Sequence, residues 1–272
     1  MSDRGLVQED CHDHAYRELL KELLFQLADD DLLMGFHDGE WLGLAPHIEE
    51  DVAFGSIGQE ELGHAALYFR MLEDLGIGRA DDLASLRTAA ERRNSVLLEQ
   101  PNGAGHYLSE PHYDWAWTIV RHYYHDVWEI ARLKQLQESR FIPLAQAAQK
   151  IVREKRYHRA HHELWIRTMA QHDEDSRERL QKALALVGSW AGDLATFGVA
   201  GDALELSGVI GSQGQAQAEF STETRAFLGT LAITPPTFQK PMNGRSGEHG
   251  EALAHALATI SEVYRIDPAA RW

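Results

Sequence analysis

Apolar residues recur every three or four positions along most of the chain, which is the period of an amphipathic α-helix. The inward stripes with this period are Leu20, Leu24, Leu27, Asp31 and Met34; Ile57, Glu61, His64 and Tyr68; Ile119, His122, Asp126, Ile130 and Leu133; and Ile151, Lys155, His158 and His162. The two-residue alternation typical of half-buried strands is nearly missing. The pattern therefore predicts helices at about residues 12–44, 47–75, 113–139, 143–171, 174–198, 213–231 and 247–265.

Glycine and proline gather between these stretches, which indicates turns. The segment 76–112 is too long for a tight turn, but it suits the crossover that ferritin-like bundles use between their second and third helices. The chain has 272 residues and 44% hydrophobic content, enough for one large core. We therefore predict an all-α fold in which residues 1–272 form a single ferritin-like domain. Its four-helix bundle is extended by additional C-terminal helices.

A Glu-x-x-His pair, Glu61 and His64, lies inside the second predicted helix. Residues three apart share one face of a helix, so the carboxylate and the imidazole can converge on one point. Carboxylate-bridged di-iron bundles use two such pairs, together with one acidic residue from each of the two other helices. A single pair is weak evidence, so the remaining carboxylates decide the case.

Asp31, Asp126 and His158 occupy equivalent positions on the inward stripes of the other three helices. Asp31 is as far from the turn at 45–46 as Glu61 is, and Asp126 and His158 are equally far from the turn at 141–143. At a helical rise of about 1.5 Å per residue, all four helices carry polar groups roughly 23 Å from their turns. The sequence therefore predicts a buried polar centre in the middle of the bundle.

The second metal-binding pair is incomplete, because Lys155 holds the position symmetric with Glu61. Glu154 lies four residues before His158 and can reach roughly the same face. A buried carboxylate needs a metal or a cation as its partner. One alternative is an internal countercharge from Lys155. The other is an iron site, either intact or vestigial, formed by Asp31, Glu61, His64, Asp126 and His158, with Glu154 as an additional ligand.

Two histidine-rich runs, at 122–125 and 161–163, look suited to metal binding. Adjacent residues on a helix point in different directions, so the histidines within one run do not converge. We therefore predict that most of them are surface or local packing residues.

Composition excludes several classes of function. The net charge of −16 argues against a nucleic-acid partner, which needs a basic face. The single cysteine, Cys11, excludes a disulfide framework and a four-cysteine iron–sulfur cluster. No phosphate-binding loop or dinucleotide fingerprint occurs. Without a signal peptide or a long apolar run, we predict a cytoplasmic protein with no membrane partner.

Several segments resemble the phenylacetyl-coenzyme A epoxidase (monooxygenase) subunits, and the resemblance covers residues from about 14 to 272. It is carried by Gly39-Glu40-Trp41, the stretch from Gly58 to His64, Leu98 to Gly103, Glu154 to His158, the tail from Gly247 to Pro268 and the closing Arg271-Trp272. The Gln-Pro-Asn-Gly segment and the terminal features are closer to the structural subunit than to the catalytic one.

The resemblance implies a role in aerobic phenylacetate degradation, in which the complex inserts one oxygen atom into the aromatic ring of phenylacetyl-coenzyme A. In that family a di-iron catalytic subunit pairs with a related ferritin-like subunit that has lost most ligands, and a separate reductase delivers electrons. Asp31 stands where the catalytic subunit has a helix-one carboxylate. The residues that match its ligand pattern are Glu61, His64, Asp126 and His158. Lys155 replaces its last glutamate.

The leading hypothesis is a non-catalytic structural subunit of a multicomponent phenylacetyl-CoA 1,2-epoxidase. It predicts no catalytic residue and no cofactor in this chain, although the binding of iron is left as an alternative. Its expected partners are the di-iron catalytic subunit, the other epoxidase subunits and the reductase. The expected assembly of this chain is a homodimer or a hetero-oligomer. The alternatives are an oxygenase or oxidase with its own di-iron centre, and a plain structural bundle that forms a homodimer.

Overall fold

The computed structural model of the protein describes residues 13–105 and 108–270. Within them the fold is an all-α, ferritin-like bundle, as the sequence predicts. The helices are α1 (His14–Gly39), α2 (Ile48–Asp74), α3 (Ala80–Ser85), α4 (Trp115–Leu136), α5 (Ile142–Gln171), α6 (Glu174–Trp190), α7 (Gly201–Ser207), α8 (Gln213–Gly229) and α9 (Glu251–Ser261). Two short strands, β1 (Gly103–Ala104) and β2 (His112–Tyr113), pair antiparallel. None of the described helices is long and apolar enough to cross a lipid bilayer.

The four long helices form two hairpins, α1 with α2 and α4 with α5. Asp114 caps α4 by accepting a hydrogen bond from the backbone N–H of Trp117 at 3.0 Å. Pro143 lies in the first turn of α5, where its missing N–H would have no helical partner in any case. At Gly35 an added Cβ would lie 2.7 Å from Leu62 Cγ, so glycine there lets α1 and α2 approach closely. The close contact sets the level at which α1 faces α2.

The inward stripes that the sequence predicts are buried in every one of the four long helices. The buried stripe residues are Leu20, Leu24, Leu27, Asp31, Met34, Ile57, Glu61, His64, Tyr68, Ile119, His122, Asp126, Ile130, Leu133, Ile151, Lys155, His158 and His162. The main hydrophobic cluster continues from the bundle into α6 and α8, through residues such as Leu184 and Phe220. The core therefore contains a buried polar layer in the middle of the bundle.

Several helix boundaries differ from the prediction. α1 ends at Gly39 rather than 44, because Trp41 turns inward, packs edge-on against Trp115 and donates its indole N–H to Thr118 Oγ1 at 3.2 Å. α6 ends at Trp190 rather than 198, where the next segment bonds to the chain near residue 239. α9 covers only 251–261 of the predicted 247–265. The predicted start at residue 12, Cys11 and Arg271-Trp272 lie outside the described residues.

The crossover between α2 and α4 contains α3 and the strand pair, which the sequence pattern does not predict. Two carboxylates of α1 fix it to the bundle. Asp29 accepts hydrogen bonds from Arg92 Nη1 at 3.0 Å and from the Arg93 backbone N–H at 2.9 Å. Asp30 accepts one from the Ser95 backbone N–H at 3.0 Å. The crossover is thereby held along α1.

Asp30 also binds two arginines that are fully buried. Arg132 of α4 and Arg245 from the C-terminal region each place a guanidinium nitrogen 2.9 Å from an Asp30 oxygen. Glu129 accepts a further hydrogen bond from Arg132. This second polar network joins distant parts of the chain, and its buried charges are paired as burial requires.

Candidate functional site

The five predicted site residues meet at the middle of the bundle. One ligand atom of each of Asp31, Glu61 and His64 lies within 4.8 Å of the other two. Asp126 lies within the same distance of Glu61, and His158 Nδ1 is 3.2 Å from Glu61 Oε1. All five are buried, His64 being the most exposed at 6%. The structure thus brings the five together, while a metal-binding role for them stays a prediction.

Lys155 extends its ammonium group into the centre of this cluster. Its Nζ donates hydrogen bonds to both oxygens of Glu61, at 2.6 and 2.8 Å, and to Asp31 Oδ1 at 3.2 Å. The side chain is fully buried. The ammonium therefore occupies a bridging position between a carboxylate of α1 and a carboxylate of α2.

The surroundings of these three groups set their charges. Burial raises the pKa of Asp31 well above its usual range, and the nearby Glu61 carboxylate adds to this effect against the pull of Lys155. Burial also acts to raise the pKa of Glu61, but Lys155 and the hydrogen bond from His158 outweigh it and lower that pKa well below its usual range. Burial acts to lower the pKa of Lys155, yet Asp31 and Glu61 hold it well above its usual range. The ammonium is therefore charged, and Glu61 is its principal counterion.

Two histidine–carboxylate pairs close the gap between α2 and α5. His158 Nε2 lies 2.7 Å from Glu60 Oε2, and His64 Nε2 lies 2.7 Å from Glu154 Oε2. Burial opposes protonation of His158, but the hydrogen bond to Glu61 raises its pKa to about 9. Both nitrogens of His158 thus donate to carboxylates. We call this line of contacts between α2 and α5 the seam.

Glu154 therefore lies at the rim of the site and not beside the central carboxylates. Its side chain is 27% exposed and its bond is to His64. The sequence allows Glu154 as an additional metal ligand, but the structure places its carboxylate on the outer side of His64. It does not replace the glutamate that Lys155 displaces.

Most histidines of the two runs do not lie at the surface, while their role as local packing residues stays a prediction. His122, His125 and His162 are buried, at 1%, 0% and 0% exposure. His162 Nδ1 lies 2.7 Å from Asp126 Oδ2, and His122 Nε2 lies 2.5 Å from Asp38 Oδ1. The signal was present, because the inward stripes already contain His122 and His162.

His125 is the site residue that sequence reasoning missed most completely. Neither of its ring nitrogens has a hydrogen-bond partner among the described residues. It belongs to two groups that could hold a metal ion, one with Asp30 and Glu129 and one with Glu61 and Asp126. Burial and the positive charge of Lys155 lower the pKa of His125 well below its usual range, so its imidazole is neutral.

Comparison with known proteins decides the family. A profile of the family described as phenylacetic acid catabolic protein matches residues 2–272. The chain belongs to this phenylacetic acid catabolic protein family. It is also 29% identical over 249 residues to one subunit of the 1,2-phenylacetyl-CoA epoxidase of Escherichia coli (strain K12), covering 91% of this chain and 96% of that protein. The resemblance to phenylacetyl-coenzyme A epoxidase subunits is thereby confirmed.

A di-iron centre of the ferritin-like type does not fit the residues of this chain. Such a centre needs a second Glu-x-x-His pair, and Lys155 stands where its glutamate would be. A metal between Asp31 and Glu61 would meet the ammonium that already bonds both carboxylates. Groups of buried carboxylate and histidine atoms that could hold a metal do remain.

Proposed function

We propose that this chain is a non-catalytic structural subunit of a phenylacetyl-CoA 1,2-epoxidase complex. Family membership and the similarity to a subunit of the bacterial epoxidase support the assignment to such a complex. The placement of Lys155 supports the non-catalytic role, because its ammonium compensates the central carboxylates that a di-iron subunit would use for metal. The bundle then contributes its shape and surface, and its partner performs the oxygen chemistry.

The proposal names the partners that this role requires. They are a di-iron catalytic subunit, the other epoxidase subunits and a separate reductase that supplies electrons. We propose that residues 1–272 act as a single domain in a hetero-oligomer in the cytoplasm. Nucleic acid is not among the proposed partners, in keeping with the net charge of −16.

A second candidate function is an oxygenase or oxidase with its own iron. The observation in its favour is the set of buried atoms without a hydrogen-bond partner among the described residues, which includes Asp31 Oδ2, His64 Nδ1 and both nitrogens of His125. It would use Asp31, Glu61, His64, Asp126, Glu154 and His158. The rim position of Glu154 and the buried ammonium of Lys155 make this the weaker proposal.

The experiment follows product formation and oxygen consumption with phenylacetyl-coenzyme A. We expect no product from this chain with the reductase alone, because the proposed role gives it no oxygen-activating metal. We expect product when the di-iron subunit is added, at a rate above that of the di-iron subunit and reductase without this chain. Turnover by this chain and the reductase would overturn the proposal in favour of the second candidate.

A further inference from the structure

A cavity of about 210 Å³ lies between α4, α8 and the segment that follows α8. Its lining includes the aromatic rings of Tyr124, Phe220 and Phe238, together with Arg225 of α8. Tyr124 and Phe220 are buried while Arg225 is exposed, so the cavity has a buried floor and an accessible rim. Tyr124 is two residues from Asp126, and side chains two apart point to different sides of a helix. The cavity is therefore separate from the central polar cluster.

The three aromatic rings form a wall that a further flat ring can join. Tyr124 and Phe238 pack edge to face with their centroids 5.4 Å apart, and Phe220 lies 6.2 Å from Tyr124 and 6.1 Å from Phe238. Aromatic rings prefer such tilted or offset contacts at about 4.5–7 Å. An apolar cavity of about 150 Å³ is large enough to bind benzene. This cavity thus has room for one six-membered ring and a small substituent.

The charge around the cavity favours an anionic substituent. Arg225 is the only charged lining residue, and its guanidinium forms no ion pair or hydrogen bond with the described residues. No Asp or Glu occurs between Thr224 and Gly247. On α8 itself, Glu219 and Glu223 each bind a cation of α4 or α5 instead. Because a guanidinium binds a carboxylate through two parallel hydrogen bonds, Arg225 suits a carboxylate on the ring.

The segment after α8 is fixed in place by backbone hydrogen bonds to the end of α6. The Gln239 N–H donates to the Gly188 carbonyl at 2.7 Å, and the Gly192 N–H donates to the Gln239 carbonyl at 2.9 Å. A Cβ added at Gly188 would lie 2.9 Å from Pro236 Cβ, so glycine there lets the proline segment pack on α6. The cavity wall is thereby formed before a ligand arrives, which lowers the entropic cost of binding.

The turn that leads from α8 into this segment is strained. Among the described residues other than glycine, Ala232 alone has a positive φ, of 56°. The Ile233 N–H donates to the Leu228 carbonyl at 3.0 Å and holds the turn closed. Strained backbone of this kind persists only where the surrounding structure enforces it, and it collects at ligand-binding sites. The strain is an observation independent of the aromatic wall and of the charge.

We propose that this cavity binds a small aromatic carboxylate. Its single ring lies against Tyr124, Phe220 and Phe238, and its carboxylate pairs with Arg225 at the rim. Recognition uses two separate features of the ligand, the flat ring and the negative charge, and loss of either weakens binding. The inference goes beyond the proposed function and does not rest on it, since the cavity is formed by this chain alone.

The test titrates sodium benzoate into the isolated full-length chain in a calorimeter. We expect a dissociation constant below about 1 mM, which is modest for a ligand of this size. Two analogues separate the two features. Benzamide keeps the ring without the charge, and cyclohexanecarboxylate keeps the charge without the aromatic ring. Each should bind at least about fivefold more weakly than benzoate.

Variants of exposed arginines locate the site. Arg225→Gln should weaken benzoate binding about 10-fold and change benzamide binding less than about twofold, because only the charge of the side chain is lost. The matched control is Arg156→Gln, an exposed arginine of α5, which should change benzoate binding less than about twofold. Unchanged helicity and melting temperature of both variants exclude unfolding as the cause.

Three results would overturn the proposal. The first is no detectable binding of benzoate up to about 10 mM. The second is equal binding of benzoate by Arg225→Gln and the wild-type chain, which would place any binding elsewhere. The third is equal binding of cyclohexanecarboxylate and benzoate, which would remove the role of the aromatic wall. None of these results changes the expected iron content or partners of the chain, so the proposed function is tested separately.

Discussion

Replacement of Lys155 by methionine should destabilise the isolated chain by about 3–5 kcal/mol, the typical cost of removing one partner from a buried ion pair. Methionine keeps most of the volume of the side chain and removes only its charge. Glu61, whose two oxygens lie 2.6 and 2.8 Å from Nζ, would then be a buried carboxylate without its principal counterion. The free energy of unfolding in a chemical denaturant measures the loss.

Two further variants separate the charge effect from general disruption of α5. Arg153→Met, two residues away on the exposed side, should change the free energy of unfolding by no more than about 0.5 kcal/mol. Adding Glu61→Gln to Lys155→Met should recover part of the loss, because the uncompensated charge is removed as well. A loss below about 0.5 kcal/mol for Lys155→Met would contradict the role of the ammonium as internal counterion.

Lys155→Glu should convert the centre into one that binds metal. The substitution restores the second Glu-x-x-His pair and removes the cation that bonds Asp31 and Glu61. Without metal we expect this variant to be less stable than Lys155→Met, since it adds a carboxylate to a buried acidic cluster. Iron(II) or manganese(II) should then raise its free energy of unfolding, by about 2.7 kcal/mol at a metal concentration 100 times the dissociation constant.

The control for metal binding is Lys155→Gln, which removes the charge without supplying an anionic ligand. We expect metal to leave its stability nearly unchanged. If Lys155→Glu gains no stability from metal while Lys155→Gln behaves the same way, the remaining residues are not arranged as a metal site. Calorimetric titration of metal into both folded variants provides an independent readout.

The position of the centre could be predicted from the sequence because helix geometry is regular. Asp31 and Glu61 lie at equal distances from one turn, and a constant rise per residue brings such positions to the same level of an antiparallel hairpin. The prediction that Lys155 competes with a metal also came from spacing alone. Whether its ammonium reaches Glu61 depends on the distance between helices and on rotamers, which spacing does not determine.

Other features could not be predicted, because they depend on contacts between distant parts of the chain. Arg245 and Asp30 are 215 residues apart in sequence, and their bond joins the C-terminal region to α1. The helical period of the sequence shows which face of α4 carries His125. Whether that face is buried depends on the elements that pack against α4. Similarly, Trp41 ends α1 early through its packing on Trp115, which lies on another hairpin.

Iron content per chain tests the central claim most directly. The complex would be assembled from cells grown in iron-replete medium, its subunits separated under native conditions, and the iron in each measured against protein concentration. We predict that the iron stays with the catalytic subunit, and that this chain contains none above background because Lys155 neutralises its central carboxylates. About two irons per copy of this chain, the content of a complete di-iron centre, would contradict the account.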